Sequence, residues 1–378
     1  VYEVDQAGRT RKLAVLHGTG TRGFYVERCC DDVEGRLHDG LPYFLDGMRP
    51  SGFLGRLVPA QHPALGLPSD IRHWSSDQTV RYLARAGWNA VGNLIVGEPA
   101  FEQFLAHLLE PREVIDDPSC AERYEQLADD VLAGAPPGSS AAGEQPKFLT
   151  LREPRRHVLV KFSPPRSDAA GRRWADLLVA ECVALETLRH CGQSSANARL
   201  IDGRDRAFLE VDRFDRTDQG RLGVISLEAL DAEFVGKVTA GMWSASVDEL
   251  VRVGVVSSED AVRVRWLSLF GALIGNTDMH LGNLSFLTRG ERVTQVAPAY
   301  DMLPMLYAPH QGHLPARSLS LAPRAMDPLL WKETCVAACA FWRRTAEHPL
   351  VSPSFRTIAH ANVGVVERLH TLADHLPR

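Results

Sequence analysis

The chain has 378 residues, 45% of them hydrophobic and 24% charged, with a formal net charge of −5. That length suits two domains or one large two-lobed enzyme, and the charge argues against a general nucleic-acid-binding surface, which is normally basic. Seven cysteines without paired C-x-x-C spacing read as buried or half-buried free thiols in a reducing cytoplasm. No uncharged apolar run reaches the ~18 residues of a membrane helix, and the first residues lack the order of a signal peptide.

In chain order, Lys12–His17 and Gly23–Arg28 read as strands of a small sheet, followed by a Gly-, Pro- and Arg-rich loop from Gly40 to Arg56. Helices are expected at Asp77–Ala86, opened by Ser76, at Glu102–Leu109 and at Asp117–Leu132. The small-residue segment Ala133–Lys147 reads as a linker. Phe148–Leu151 and His157–Phe162 form a hairpin across a charged turn, and the apolar spacing of Trp174–Cys191 marks a helix closed by Gly192. Strands follow at Ala198–Ile201 and Ala207–Val211. The remainder is mostly helical, at Ser226–Phe234, Glu259–Leu273, Pro328–Thr345 and Phe355–Leu376, interrupted by strands Leu284–Leu287 and Val293–Val296. This predicts an α+β, two-lobed protein-kinase-like chain: an accessory subdomain over 1–110, a nucleotide-binding lobe over 111–215 and a helical lobe over 216–378.

Phosphoryl transfer from ATP needs donors over the phosphates, a lysine for the α/β oxygens, a carboxylate for the attacking hydroxyl and hard oxygen ligands for Mg²⁺. Asp278 is followed after four residues by Asn283, the interval of the kinase D-x-x-x-x-N loop. Alone, that spacing also suits an Asx-rich turn. Asp301, just after the second strand of the later hairpin, adds the second metal-binding carboxylate that kinases place there. Lys161 lies among apolar residues of a strand, where an ammonium group needs a partner; phosphates supply one, and Glu181 in the following helix supplies the carboxylate. Gly143 and Lys147 suit a phosphate-covering segment that is not a Walker A. His280, His310 and His313 lack a partner set at zinc spacing.

Ser140–Lys147, Lys161, Val211–Arg216, Asn276–Phe286 and Ala297–Leu303 together resemble the HipA-type serine/threonine kinases, toxins of bacterial toxin–antitoxin pairs. Within that family, Phe44–Arg56 and Gly92–Glu98 are most similar to the YjjJ branch. The resemblance implies a HipA-like fold using ATP and Mg²⁺. Asp278 is then the catalytic base, Asn283 and Asp301 are metal ligands, and Lys161 binds the α/β-phosphates. Glu181 pairs with Lys161, while Gly143, Gln145 and Lys147 belong to the phosphate loop, and Phe214 and the strand Glu210–Arg213 line the adenine pocket, partly through backbone contacts. Ser140, with Ser139 as the alternative, is the implied autophosphorylation site. A dianionic phosphate there would repel the phosphates of ATP and switch the enzyme off. Implied partners are a protein substrate, and an antitoxin or DNA met through a module upstream of this chain. The chain departs from the family at Met279 and Gly282, where basic residues are common. A small-molecule phosphotransferase and a nucleotide-binding regulatory pseudokinase remain the alternatives.

Overall fold

The computed structural model describes residues 1–20, 23–29, 35–109, 114–134, 145–153, 155–236, 242–321 and 328–372. The first segment runs β1 (Tyr2–Val4), β2 (Thr10–Lys12), β3 (Ala14–Gly18), β4 (Gly23–Arg28), β5 (Arg36–Asp39), α1 (Tyr43–Asp46), α2 (Gly52–Gln61), α3 (Ser76–Ala86), β6 (Leu94–Ile95) and α4 (Glu98–Leu109). Its strands make two antiparallel sheets, ordered β2-β1-β6 and β3-β4-β5. Helix α1 and the first half of α2 stand where composition predicts a loop from Gly40 to Arg56: in α2, Phe53, Leu57 and Val58 share a buried face, and that burial outweighs the local Gly and Pro content. Ser75, one residue before the expected cap, opens α3 through a capping box with Gln78.

The middle of the chain supplies α5 (Cys120–Ala133), β7 (Lys147–Glu153), β8 (Arg156–Phe162), α6 (Ala169–His190), β9 (Ala198–Asp202) and β10 (Ala207–Asp212). Its four strands pair antiparallel in the order β7-β8-β10-β9. Strand alternation sorts the side chains. Val158, Val160, Phe162 and Phe208 pack with Tyr124 and Ala128 of α5 on one face, while Leu209 and Val211 pack with Leu178 and Cys182 of α6 on the other. Each fully buried phenylalanine contributes about 2 kcal/mol through removal of its ring from water.

The last third holds a sheet of β11 (Gly223–Ser226), β12 (Ser285–Arg289) and β13 (Arg292–Val296), with α7 (Leu227–Phe234), α8 (Trp243–Arg252), α9 (Ser258–Leu273), α10 (Pro328–Glu347) and α11 (Pro353–Leu372). Strand β11 and helix α8 are additions to the sequence expectation. The buried residues Trp243, Val247 and Leu250 of α8 have helical spacing. Helix α6 is tied to this lobe: the backbone and hydroxyl of Ser352 both donate to Asp176 at 2.7 Å, and Arg344 pairs with Glu186 at 2.6 Å.

The accessory subdomain is joined at Asp215, which accepts from the Gly92 backbone at 2.9 Å and from Arg213 and Arg216 at 2.9 and 2.7 Å. Burial opposes its ionisation, yet the two guanidinium groups hold the carboxyl well below the usual range. Among the described residues the cysteines are free; Cys120, Cys182, Cys335 and Cys339 are buried, whereas Cys29 and Cys191 are exposed, against the expected burial. No described helix is long and apolar enough to cross a membrane.

Candidate active site

The predicted residues come from both lobes, and each is positioned by a local rule. Lys161 lies on β8 with its side chain toward α6, because Val160 and Phe162 point the other way. Its ammonium donates to both carboxylate oxygens of Glu181, at 2.6 and 2.8 Å, and to the carboxylate of Asp301. Lys161 is 5% exposed and Glu181 fully buried. Burial lowers the affinity of the lysine for its proton, but the Asp301 and Glu181 charges reverse this and leave it more basic than usual. Burial raises the Glu181 carboxyl. Burial also opposes ionisation of Asp301, but Lys161 and then Lys147 hold its carboxyl below the ordinary range. Lys147 sits directly across the ladder from Lys161, so two cations share one sheet face with two carboxylates opposite. Directly opposed like charges are unfavourable unless anions lie between them.

Helix α9 ends in a Schellman turn. Gly275 adopts φ 76°, its N–H bonds Ala272 at 3.0 Å, and the N–H of Asn276 bonds Gly271 at 2.8 Å. The chain then enters the Asp278 loop. Asp278 is exposed, and its backbone N–H donates to Asn276 Oδ1 at 3.0 Å. Asn283 Nδ2 donates to the Asp278 carbonyl at 2.8 Å, which leaves Oδ1 as the ligand end of that amide. Trp243 Nε1 holds the His280 carbonyl at 2.8 Å, and His280 Nδ1 accepts from the Gly282 N–H. His280 is thus a loop-holding group.

Asp301 follows β13 at φ 53°, a left-handed conformation that non-glycine residues seldom adopt. Its carbonyl accepts from Asn276 Nδ2 at 3.1 Å. The neighbouring Tyr300 hydroxyl lies 3.1 Å from the Gly282 carbonyl and 2.8 Å from Ser285 Oγ. Phe214 stacks on the Tyr300 ring with centroids 5.8 Å apart, so it lies beside the Asp301 turn. Gln145 bonds the Phe162 carbonyl at 2.7 Å and anchors the approach to β7.

Glu210 turns its side chain away from Lys161. Register places it beside Val160 and Arg199 on the α5 face, opposite to Lys161. There it meets Arg152 at 2.9 Å, Arg156 at 2.8 Å and the Tyr124 hydroxyl at 2.8 Å; its side chain does not line the cleft. Gly143, Ser139 and Ser140 lie outside the described residues. Met279 turns inward over Gly271, where an added Cβ would collide with its sulfur, so that position presents no polar group to the loop. Sequence reasoning missed Asn276 and Tyr300. The Asn-x-Asp spacing of an Asx turn was the available signal for Asn276, whereas Tyr300 had none beyond its place next to Asp301.

Among the described residues no three His, Cys, Asp or Glu side chains cluster as a metal site. The donor chemistry of Asn283 and Asp301, an amide oxygen and a carboxylate, nevertheless fits Mg²⁺, which is commonly held by one or two carboxylates together with substrate phosphates and water.

Comparison with known proteins gives the family and the fold. Residues 1–105 match the family model of the YjjJ-like toxin middle domain, and residues 139–362 match the HipA-like C-terminal domain. Toxin YjjJ of Escherichia coli (strain K12) is 35% identical over 368 residues, covering 95% of this chain and 82% of that protein. The solved HipA of the Shewanella oneidensis MR-1 toxin–antitoxin system, determined with HipB and operator DNA, superposes at a TM-score of 0.56 and 13% identity, covering 100% of this chain and 97% of that one. The Helicobacter pylori proinflammatory kinase CtkA covers 61% of this chain and 92% of its own at 0.45 and 13% identity, too distant to bear on the fold. The chain is therefore α+β with a HipA-like, kinase-like fold, and by identity, coverage and domain order it belongs to the HipA family, in its YjjJ-like toxin branch.

Proposed function

We propose that the protein is a Mg-ATP-dependent serine/threonine kinase of toxin type that transfers the γ-phosphate to a hydroxyl of a protein substrate. The observation that carries this reading is the buried Lys161 that reaches from β8 to Asp301, a residue that Asn276 links to the Asp278 loop. A buried ion pair alone is weak evidence of a site; this one joins two lobes and ends on a carboxylate that is still 29% exposed, as phosphate and metal binding require.

In this reading Lys161 and Lys147 neutralise phosphate oxygens, while Glu181 orients Lys161. Asn283 and Asp301 hold Mg²⁺, which when bound neutralises charge on the transferring phosphoryl group. Asp278 accepts the proton of the attacking hydroxyl, and Phe214 covers the base. The work is positioning and charge neutralisation. Autophosphorylation of Ser140, or Ser139, switches the enzyme off. The family relation supports a cytoplasmic toxin whose activity is restrained by an antitoxin, with DNA met through that partner or an upstream module.

The test is γ-phosphate incorporation by the purified chain with Mg²⁺, beside Asp278→Ala, followed by mass spectrometry of the peptide containing Ser139 and Ser140. Incorporation should fall about 10³-fold in the variant, with label on one of the two serines in the wild type. A wild-type chain that binds no nucleotide refutes the assignment.

A further inference from the structure

We propose that Asn276 is a positioning residue for this reaction, a buried amide that holds the Asp278 loop and the Asp301 turn at a fixed separation; the inference rests on the phosphotransferase reading above. Asn276 is 5% exposed, and both ends of its amide are engaged by backbone groups. Its backbone is set by the Schellman turn that ends α9. Its side chain lies between two loops far apart in sequence. Oδ1 accepts the Asp278 N–H at 3.0 Å, and Nδ2 donates to the Asp301 carbonyl at 3.1 Å.

The amide has one workable orientation. Flipped, it would set oxygen against the Asp301 carbonyl and N–H against the Asp278 N–H, losing both bonds. The bond to Asp301 also falls on a residue at φ 53°, a backbone that needs outside support to persist. The Leu306 N–H bonds the Gly275 carbonyl at 2.9 Å and ties the chain after Asp301 to the same corner. From the other lobe Lys161 grips the Asp301 carboxylate. Thus Lys161 fixes the carboxylate of Asp301, while Asn276 fixes its peptide relative to the proposed base. A displacement near 1 Å between reacting groups costs about 100-fold in rate.

The test separates positioning from folding. Asn276→Leu removes both hydrogen bonds but keeps similar volume, and an apolar residue suits this place after the turn glycine. In the full chain we expect a melting temperature within a few degrees of wild type, half-saturating Mg²⁺ about tenfold higher, and kcat about 100-fold lower at saturating Mg²⁺. Asn276→Ala should behave alike and serves if the leucine variant fails to fold; failure of both to fold would make the amide a folding element and overturn the proposal. Asn362→Leu is the control, because that buried amide bonds the Tyr307 hydroxyl within the helical lobe; it should lower the melting temperature and leave the Mg²⁺ requirement unchanged. Unaltered kcat and Mg²⁺ requirement in the Asn276 variants, or an equal change in Asn362→Leu, overturns the proposal while the kinase assignment stands. If the wild-type chain neither incorporates phosphate nor binds nucleotide, the kinase assignment fails first and the inference falls with it.

Discussion

The two faces of the four-stranded sheet each bury a charged cluster, one around Lys161 and one around Glu210. On the α5 face Glu210 is fully buried and receives three arginines, from β7, β8 and β9, with the Tyr124 hydroxyl from the covering helix. All those partners come from the same lobe, so the cluster is complete in itself. On the α6 face Lys161 reaches across to Asp301 of the other lobe, whose side chain remains 29% exposed, and a second lysine stands across the ladder. Burial and ion pairing are thus common to both clusters and identify neither as a site. What separates them is that one cluster spans two lobes and keeps a carboxylate partly exposed. A buried ion pair by itself is weak evidence of anything beyond architecture.

The comparison breaks most readily at Lys161. Lys161→Met should reduce phosphate incorporation by two to three orders of magnitude, as expected for loss of a preorganised charge. It should also destabilise the fold by roughly 3 kcal/mol, because Glu181 is left buried without its partner. Unchanged nucleotide affinity in that variant, read by equilibrium binding, would remove the distinction between the two faces. A smaller effect is expected from Glu210→Gln, about 2 kcal/mol in chemical denaturation, with nucleotide affinity retained; lost affinity at full stability would return Glu210 to the site.

The smallest and most conditional effect concerns Asp215, a third buried carboxylate, which serves the joint to the accessory subdomain. Its folded-state pKa is depressed, so its stabilisation is present above the ordinary carboxylate value of about 4 and is lost as pH falls toward the folded value. Asp215→Asn should therefore lie about 1–2 kcal/mol below wild type at neutral pH, and urea midpoints should converge as the solution is acidified below that value. A gap independent of pH would assign the joint to packing instead of charge.

Much of the site was legible in the chain because its determinants are local. The interval from Asp278 to Asn283, the turn position of Asp301 and the lone lysine among apolar residues of β8 follow from spacing and alternation within short windows. Glu181 needed one further step, a helix of known periodicity following that strand. The direction of the Glu210 side chain was not legible, for a physical reason. Side-chain parity along β10 is visible in the sequence, but which parity faces Lys161 depends on the register with β8, and register is a pairing between distant residues. Most of helix α2 escaped for a related reason, since Phe53, Leu57 and Val58 are buried by the tertiary fold, and such burial rather than propensity stabilises most helices.

The sequence by itself determined the element order of the two lobes, the ends of most helices and the chemical inventory of the cleft, because caps, periodicity and turn residues act within a few positions. Only the tertiary structure decided which charges meet: Lys161 with Asp301 across 140 residues, Asn276 with Asp301 across 25, and Glu210 with arginines on the far side of the sheet. Such pairings depend on sheet register and on how the lobes close, and electrostatic partners at that range leave no periodic trace in the chain.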